Sequence, residues 1–190
     1  MLTQPLIGGA GPYLELPAYS SDLPGCIHAF VDTPKGSHHK YKFDVGLRVF
    51  RLERVLGAGL VFPFNFGYIP STLGEDGDPL DVLLLMDEPT FTGCLVVARL
   101  IGVIEAKQVE AGARRAERND RLVAVAARAP QAEPIRDIRQ VEPKLLDEVE
   151  HFFIAYTSIQ GKRFTPLRRG GPVRARRLLA QGIKAFERRA

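Results

Sequence analysis

The sequence contains no tryptophan and only two cysteines, Cys26 and Cys94. The two cysteines are far apart, and neither belongs to a Cys-x-x-Cys motif of the kind that binds zinc. A secreted fold that depends on disulfides would need more cysteines than this. The shortage therefore argues against both a cysteine-ligated zinc site and a disulfide framework.

Long hydrophobic runs are also missing. The longest apolar stretches, residues 82–86 and 94–98, have the length of a strand, whereas a membrane-spanning helix needs about 20 apolar residues. Residues 1–12 have neither a basic start nor a sustained apolar block, which argues against a signal peptide. We therefore expect a cytoplasmic protein with no membrane partner.

Patterns typical of helices are scarce before residue 140. Short apolar segments separated by Gly and Pro turns predict strands at residues 27–32, 40–44, 48–52, 61–66, 80–86, 94–103 and 122–126. Closely spaced strands without helices between them favour a β-barrel or a β-sandwich over βαβ units. Residues 1–25 are rich in Gly, Pro and Ser and are predicted to form an irregular N-terminal arm, with residues 26–190 as a single domain.

Two helices are predicted near the C-terminus. The first begins at Pro143, because apolar residues then recur with the i, i+3, i+4 spacing of one helix face: Leu145, Leu146, Val149, Phe152, Phe153 and Tyr156. The second covers residues 172–189, and its apolar positions are Val173, Leu178, Leu179, Ile183 and Phe186. We expect a small closed barrel with these helices packed against its outside.

Positive charge is unevenly distributed, although the net charge is only +4. Arginines crowd two segments, at positions 114, 115, 118 and 121 and at positions 163, 168, 169, 174, 176 and 177. Such clusters attract phosphorylated substrates, nucleic acid or anionic membranes. They do not choose among these partners, because solvated arginine-rich surfaces are common.

An acidic motif, Glu75-Asp76-Gly77-Asp78-Pro79-Leu80-Asp81, places three aspartates within six residues. In an extended stretch Asp76 and Asp78 would point the same way, and a bend at Pro79 would bring in Asp81. Ligation by oxygen alone suits Mg²⁺ or Mn²⁺. An exposed turn would explain the same residues, whereas a calcium loop of the EF-hand type is excluded because Asp81 stands where its glycine is required.

An aromatic run, Phe62-Pro63-Phe64-Asn65-Phe66-Gly67-Tyr68-Ile69, precedes the acidic motif. Together the two resemble the signature of family I soluble inorganic pyrophosphatases, in which Tyr-Pro-x-Asn-Tyr-Gly-Tyr-Ile is followed by Asp-x-Asp-Pro-x-Asp. Further matches follow in the same order, among them Pro34-Lys35-Gly36-Ser37, Lys40-Tyr41, Glu53-Arg54 and His151-Phe152-Phe153. The resemblance implies a mainly β protein with some α-helix, a five-stranded OB-like closed β-barrel flanked by helices.

The resemblance also implies an activity, the hydrolysis of pyrophosphate to two orthophosphates with Mg²⁺, for which Mn²⁺ is a possible substitute. It implies that Asp76, Asp78 and Asp81 hold the metal, and that Asp78 accepts the proton of the attacking water. Phosphate oxygens would be bound by Lys40, Arg54, Tyr156, Lys162 and Arg121. Members of this family associate with themselves, so a homo-oligomer is expected.

Several residues depart from the family pattern. The second acidic cluster of the family is replaced by a basic segment, residues 108–121, in which Asn119 stands at the expected ligand position. Glu110 and Asp120 could supply metal-binding carboxylates there if the loop follows a different path. Two expected tyrosines are Phe62 and Phe66, and an expected glutamate is Lys42.

Three functions remain open at this point. The preferred one is a divergent pyrophosphatase, because the three aspartates and the two main cations are retained. A degenerate homologue that binds phosphate, or an enzyme that hydrolyses another phosphorylated compound, would also fit the departures. Nucleic-acid binding by an OB-like barrel is less favoured, because the aromatic residues lie beside carboxylates that would repel a phosphate backbone.

Overall fold

The computed structural model describes residues 12–129 and 134–189. The helices are α1 (Pro12–Glu15), α2 (Pro143–Ser158) and α3 (Pro172–Glu187), with a short 3₁₀ helix at Ile138–Gln140. The strands are β1 (Ile27–Thr33), β2 (His39–Asp44), β3 (Val49–Val55), β4 (Asn65–Tyr68), β5 (Asp81–Leu85), β6 (Leu95–Val109), β7 (Ala116–Arg118), β8 (Arg121–Ala126) and β9 (Arg163–Gly170).

Five of the strands close into a ring. Strand β1 pairs with β4, β4 with β5, β5 with β8 and β8 with β6, and β6 returns to pair with β1. The β5–β8 pair is parallel, and the other four pairs are antiparallel. The predicted five-stranded OB-like barrel with flanking helices is confirmed.

The remaining strands extend the barrel on two sides. Strands β2 and β3 form a separate two-stranded hairpin. Strands β7 and β9 both pair with the far end of β6, which at 15 residues is long enough to leave the ring and continue beyond it. The predicted strand at 94–103 is therefore correct in place but too short.

The core lies inside the ring and under α2. All six residues of β8 are buried, as are Val82 to Leu85 in β5. Apart from Arg121 at the start of β8, these residues are apolar, and such runs are typical of strands covered on both faces. Helix α2 covers one side through Phe152 and Phe153, whose rings lie 4.9 Å from Phe62 and 5.6 Å from Phe66 between centroids.

The two predicted helices are confirmed, with one correction in α3. Both begin with proline, whose missing N–H costs nothing at the first helical position. In α3 the buried face consists of Ala175, Leu179 and Gly182, which follow the i, i+4, i+7 spacing. Val173 lies two residues before Ala175 and points away from that face, so its side chain is exposed rather than packed.

Two strand predictions need correction. The strand predicted at 61–66 begins only at Asn65, because Pro63 has no N–H to donate to a ladder. Strand β9 was not predicted, since it is rich in arginine and contains Pro166. Its pairing with β6 shifts register between Glu105 and Ala106, next to the partner position of that proline.

A buried carboxylate joins the elements around the extended end of β6. Glu105 is 2% exposed and accepts hydrogen bonds from Arg118 at 2.8 Å, Arg168 at 3.0 Å and Arg174 at 2.9 Å. These arginines come from β7, β9 and α3. Burial alone would raise the pKa of Glu105, but the three hydrogen bonds outweigh it and lower the pKa to about 2.

The described part of the N-terminal arm packs against the barrel. The Tyr13 ring in α1 lies 4.9 Å from Phe30 and from Phe43, and 5.1 Å from Phe50. Residues 1–11 of the predicted arm lie outside the described residues, and the predicted boundary at residue 25 stays a prediction. None of the helices within residues 12–129 and 134–189 is long and apolar enough to cross a membrane.

Glu105→Gln should destabilise the fold by about 3 kcal/mol at neutral pH, because it leaves three arginines without their shared buried partner. The group has a lowered folded pKa, so its contribution is present above its ordinary value of 4.5 and is lost as pH falls towards 2. Urea denaturation across that range should show the wild-type advantage shrinking with acid. Glu148→Gln, at an exposed position of α2, is the matched control, and equal losses in both variants would contradict the account.

Candidate active site

One cavity of about 660 Å³ lies at the end of the barrel, between the β2–β3 hairpin, the acidic turn and α2. The side chains that line it include seven of the predicted site residues: Lys40, Asp76, Asp78, Asp81, Arg121, Tyr156 and Lys162. Residues far apart in sequence thus converge on one space. Arg54 and Asp120, which were predicted to join them, are not among the residues that line this cavity.

The acidic motif forms a turn, not the extended stretch that the alternation of Asp76 and Asp78 suggested. The Gly74 N–H donates to the Asp78 carbonyl at 2.8 Å, and Gly77 adopts a φ of 84°, which favours glycine. The Asp76 carboxylate accepts a hydrogen bond from the Asp78 N–H at 3.2 Å. Asp81 follows as the first residue of β5, so the turn and the strand together bring the three aspartates to the cavity.

Negative charge in this cavity is energetically unfavourable. Burial raises the pKa of Asp76, and the charges of Asp81 and Asp78 raise it further. Burial also raises the pKa of Asp81, against the opposing effect of Arg121 and Lys40. A raised carboxyl pKa means that the ionised form is disfavoured. Asp76 and Asp81 are therefore stabilised either by protonation or by a positive charge close by.

Arg121 supplies positive charge to Asp81. Its guanidinium forms an ion pair with the Asp81 carboxylate at 2.6 Å, and it donates a hydrogen bond to the Asn119 side chain. The side chain is buried, and its guanidinium carbon lies 4.9 Å from the centroid of the Phe153 ring and 5.6 Å from that of Phe164. Arg121, predicted as a phosphate ligand, is thus held rigidly against a predicted metal ligand.

Lys42 supplies positive charge to Asp78. Its ammonium lies 2.9 Å and 3.1 Å from the two carboxylate oxygens of Asp78, and both side chains are about half exposed. Burial alone would lower the pKa of Lys42, but the hydrogen bond and charge of Asp78 raise it above the ordinary value. The residue that reverses the expected charge at the margin of the site therefore pairs with the predicted proton acceptor.

Lys40 lies deeper, paired with Asp32 at 2.7 Å. Both residues are buried, and burial raises the pKa of Asp32 while the Lys40 charge and hydrogen bond oppose the shift. The Lys40 ammonium also lies 4.4 Å from the centroid of the Phe66 ring and 5.8 Å from that of Phe62. The two phenylalanines that replace expected tyrosines thus give the cation aromatic faces instead of hydroxyl groups.

Tyr156 and Lys162 reach the cavity from the α2 side. The Tyr156 ring stacks on Phe152 at 5.6 Å, and burial raises the pKa of its hydroxyl. Lys162 pairs with Glu110 at 2.7 Å, and both line the cavity. Arg54 is exposed on β3, but its positive charge is close enough to Tyr156 to oppose part of the rise in the pKa of that hydroxyl.

Asp120 lies beside a second cavity, also of about 660 Å³, which shares Asp76 and Asp81 with the first. Its carboxylate accepts hydrogen bonds from the Ala106 N–H at 2.9 Å and from Arg118 at 2.7 Å. The predicted fourth metal-binding carboxylate therefore contacts β6 and β7, and the cavity it lines does not include Asp78.

Sequence reasoning did not single out Tyr68. Its hydroxyl is buried in the lining of the main cavity, as is the Asp32 Oδ1 oxygen, and neither has a hydrogen-bond partner within the described residues. The signal was present in the spacing, because Phe66 and Tyr68 stand two apart on β4 and alternate residues share a face. Glu53 also lines the cavity, although the sequence identifies it only as part of the Glu53-Arg54 match.

The carboxylates of the main cavity suit a divalent cation in type. Three aspartates line one cavity, and the pKa values of Asp76 and Asp81 are raised. A bound Mg²⁺ would stabilise the ionised form of these carboxylates. Among residues 12–129 and 134–189, no group of three or more His, Cys, Asp or Glu side chains is already arranged to hold a metal. The residues therefore fit the cation in type, and Lys42 pairs with Asp78 while Arg121 pairs with Asp81.

Comparison with known proteins relates this chain to one family. The inorganic pyrophosphatase family model matches residues 29–187. An inorganic pyrophosphatase of a Nostoc species is 35% identical over 164 residues, which cover 86% of this chain and 94% of the relative. That of Geobacillus stearothermophilus is 36% identical over 160 residues, which cover 84% of this chain and 93% of the relative.

Solved structures agree with the sequence relatives. The crystal structure of inorganic pyrophosphatase from Thermus thermophilus superposes with a TM-score of 0.85 at 28% identity, over 93% of this chain and 99% of that one. The structure of an inorganic pyrophosphatase from Neisseria gonorrhoeae gives 0.79 at 31% identity, over 92% and 96% of the two chains. The similarity thus extends over nearly the whole length of each protein.

Arg121→Met should raise the pKa of Asp81 further, because the variant removes the positive charge that opposes the effect of burial. Stability should fall by about 3 kcal/mol, as expected when one partner of a buried ion pair is lost. Carboxyl ¹³C NMR titration measures the first effect and urea denaturation the second. Arg176→Met, at an exposed position of α3, is the control, and an unchanged Asp81 pKa in Arg121→Met would show that the pair does not form.

Proposed function

The chain belongs to the inorganic pyrophosphatase family, and we propose on that basis that it hydrolyses pyrophosphate to two orthophosphates with Mg²⁺. The observation that carries this proposal is the convergence of Asp76, Asp78 and Asp81 with Lys40 on one cavity. A substrate rich in phosphate oxygens needs cations around it, and a hard divalent cation needs carboxylates. The cavity offers both kinds of group within one space.

Asp76, Asp78 and Asp81 would hold the metal in this proposal. Mg²⁺ bound there would neutralise phosphate charge and lower the pKa of a water molecule, with Mn²⁺ as a possible substitute. The all-carboxylate donor set and the raised pKa values of Asp76 and Asp81 support this assignment. Asp120 would not contribute unless Arg118 released it, because its oxygens are already occupied by hydrogen bonds.

Asp78 would accept the proton of the attacking water. It is the most exposed of the site's ion-paired aspartates, with 56% of its side chain accessible, so water can reach it directly. The water oxygen attacks one phosphorus, the bond from that phosphorus to the bridging oxygen breaks, and the second phosphate leaves. The proton removed from the water stays on Asp78 until solvent takes it.

Lys40, Tyr156 and Lys162 would bind the phosphate oxygens. The two ammonium groups neutralise charge that spreads over the phosphoryl oxygens in the transition state. Tyr156 keeps its proton because its pKa is raised, so its hydroxyl can donate a hydrogen bond at neutral pH. Arg54 would reach the substrate only by turning its exposed side chain towards Tyr156, and we assign it the outer part of the site.

Two further expectations remain predictions. They are residence in the cytoplasm and self-association of the chain. Neither affects the roles assigned to the cavity residues, because the groups named above all come from one chain.

Asp78→Asn should lower kcat for pyrophosphate by about 10²- to 10⁴-fold, the range expected for loss of a general base. The measurement is orthophosphate release by pure protein with Mg²⁺ and, separately, with Mn²⁺. Addition of a chelator should abolish the wild-type rate.

The matched control is Asp87→Asn, an aspartate beyond the end of β5 that does not line the cavity. This control should retain the wild-type rate. Wild-type protein that turns over pyrophosphate no faster than Asp78→Asn would refute the proposed function. Parallel assays with other phosphoanhydrides and phosphate esters would then identify or exclude a different phosphorylated substrate.

A further inference from the structure

The ion pair between Lys42 and Asp78 crosses the mouth of the cavity. Lys42 lies on the β2–β3 hairpin and Asp78 on the acidic turn, and the ammonium contacts both carboxylate oxygens at 2.9 Å and 3.1 Å. Both oxygens of the proposed metal ligand are therefore occupied by one cation. A metal ion that binds Asp78 has to displace that cation or share the carboxylate with it.

The two cations at the acidic turn differ in how firmly they are held. Arg121 is buried, with 6% of its side chain exposed, and it packs among the rings of Phe153 and Phe164. Lys42 and Asp78 expose 49% and 56% of their side chains. Because exposed ion pairs contribute little and buried ones are costly to break, Lys42 can leave its partner and Arg121 cannot.

We propose that Lys42 is a displaceable cation that competes with divalent metal for Asp78 and thereby weakens metal binding. The proposal rests on the proposed function only in assigning metal to Asp76, Asp78 and Asp81. A divalent ion carries twice the charge of the ammonium and occupies the same oxygens, so it wins once its concentration is high enough. Lys42 consequently sets the metal concentration at which the site fills.

The direct test is a titration of the free protein with Mn²⁺ at fixed neutral pH and without pyrophosphate. Unbound Mn²⁺ is measured by its EPR signal. Lys42→Gln should bind Mn²⁺ about tenfold more tightly than the wild type, because one positive charge within a few ångströms of the metal is removed. Lys42→Arg should keep the weak wild-type affinity, since it keeps the charge.

The matched control is Lys144→Gln, which removes the same charge from an exposed position of α2 that does not line the cavity. Its Mn²⁺ affinity should equal that of the wild type. If Lys42→Gln and Lys144→Gln bind Mn²⁺ alike, or if Lys42→Arg binds as tightly as Lys42→Gln, the competition does not exist.

These outcomes separate the inference from the proposed function. Tighter Mn²⁺ binding by Lys42→Gln in a protein that does not hydrolyse pyrophosphate would uphold the competition and refute the function. Equal Mn²⁺ affinities of the wild type and Lys42→Gln, in a protein that does hydrolyse pyrophosphate, would refute the competition and uphold the function. If neither the wild type nor Lys42→Gln binds Mn²⁺, both the competition and the assignment of the metal site are wrong.

Discussion

Crowding of carboxylates against an apolar core is the constraint on which this structure depends. Asp76, Asp78 and Asp81 share one cavity, and the first and last resist ionisation because they are partly removed from water. Such an arrangement is stabilised by protonation of the carboxyl groups or by a nearby positive charge. Here Lys42 and Arg121 supply it, one from a hairpin and one from the first residue of a barrel strand. Two of the three aspartates are therefore neutralised by cations of the same chain.

The same principle organises the rest of the charged interior. Glu105 draws arginines from β7, β9 and α3 to one point, and Asp32 holds Lys40 beneath the cavity. Each pair joins an element outside the ring of five strands to the ring or to its extension. Ion pairs thus join the additions to the barrel, while the five strands of the ring pair through their backbones around an apolar core. Part of the positive charge in residues 108–121 has a structural role, because Arg118 forms ion pairs with Glu105 and Asp120.

Local patterns in the sequence were enough to predict the barrel and the acidic site. Apolar runs of strand length predicted a small closed barrel, and the acidic motif indicated three aspartates that the structure brings to one cavity. Long-range pairing was not predictable in this way. Strand β9 has no apolar pattern of its own. It pairs with the end of β6, where its Arg168 contacts Glu105, and its Arg169 pairs with Glu150 and Asp147. Likewise the sequence shows only that Lys42 stands where a glutamate is expected, and the fold shows that it pairs with Asp78.

The account is tested most directly by anomalous scattering from crystals soaked with Mn²⁺. It predicts a metal peak at the acidic turn, with carboxylate oxygens of Asp76, Asp78 and Asp81 at about 2.1–2.2 Å, close to the distances for octahedral Mg²⁺. It also predicts that the Lys42 ammonium has moved away from Asp78 while Arg121 still contacts Asp81. A metal bound elsewhere, or a Lys42–Asp78 pair that stays intact beside a filled site, would contradict it.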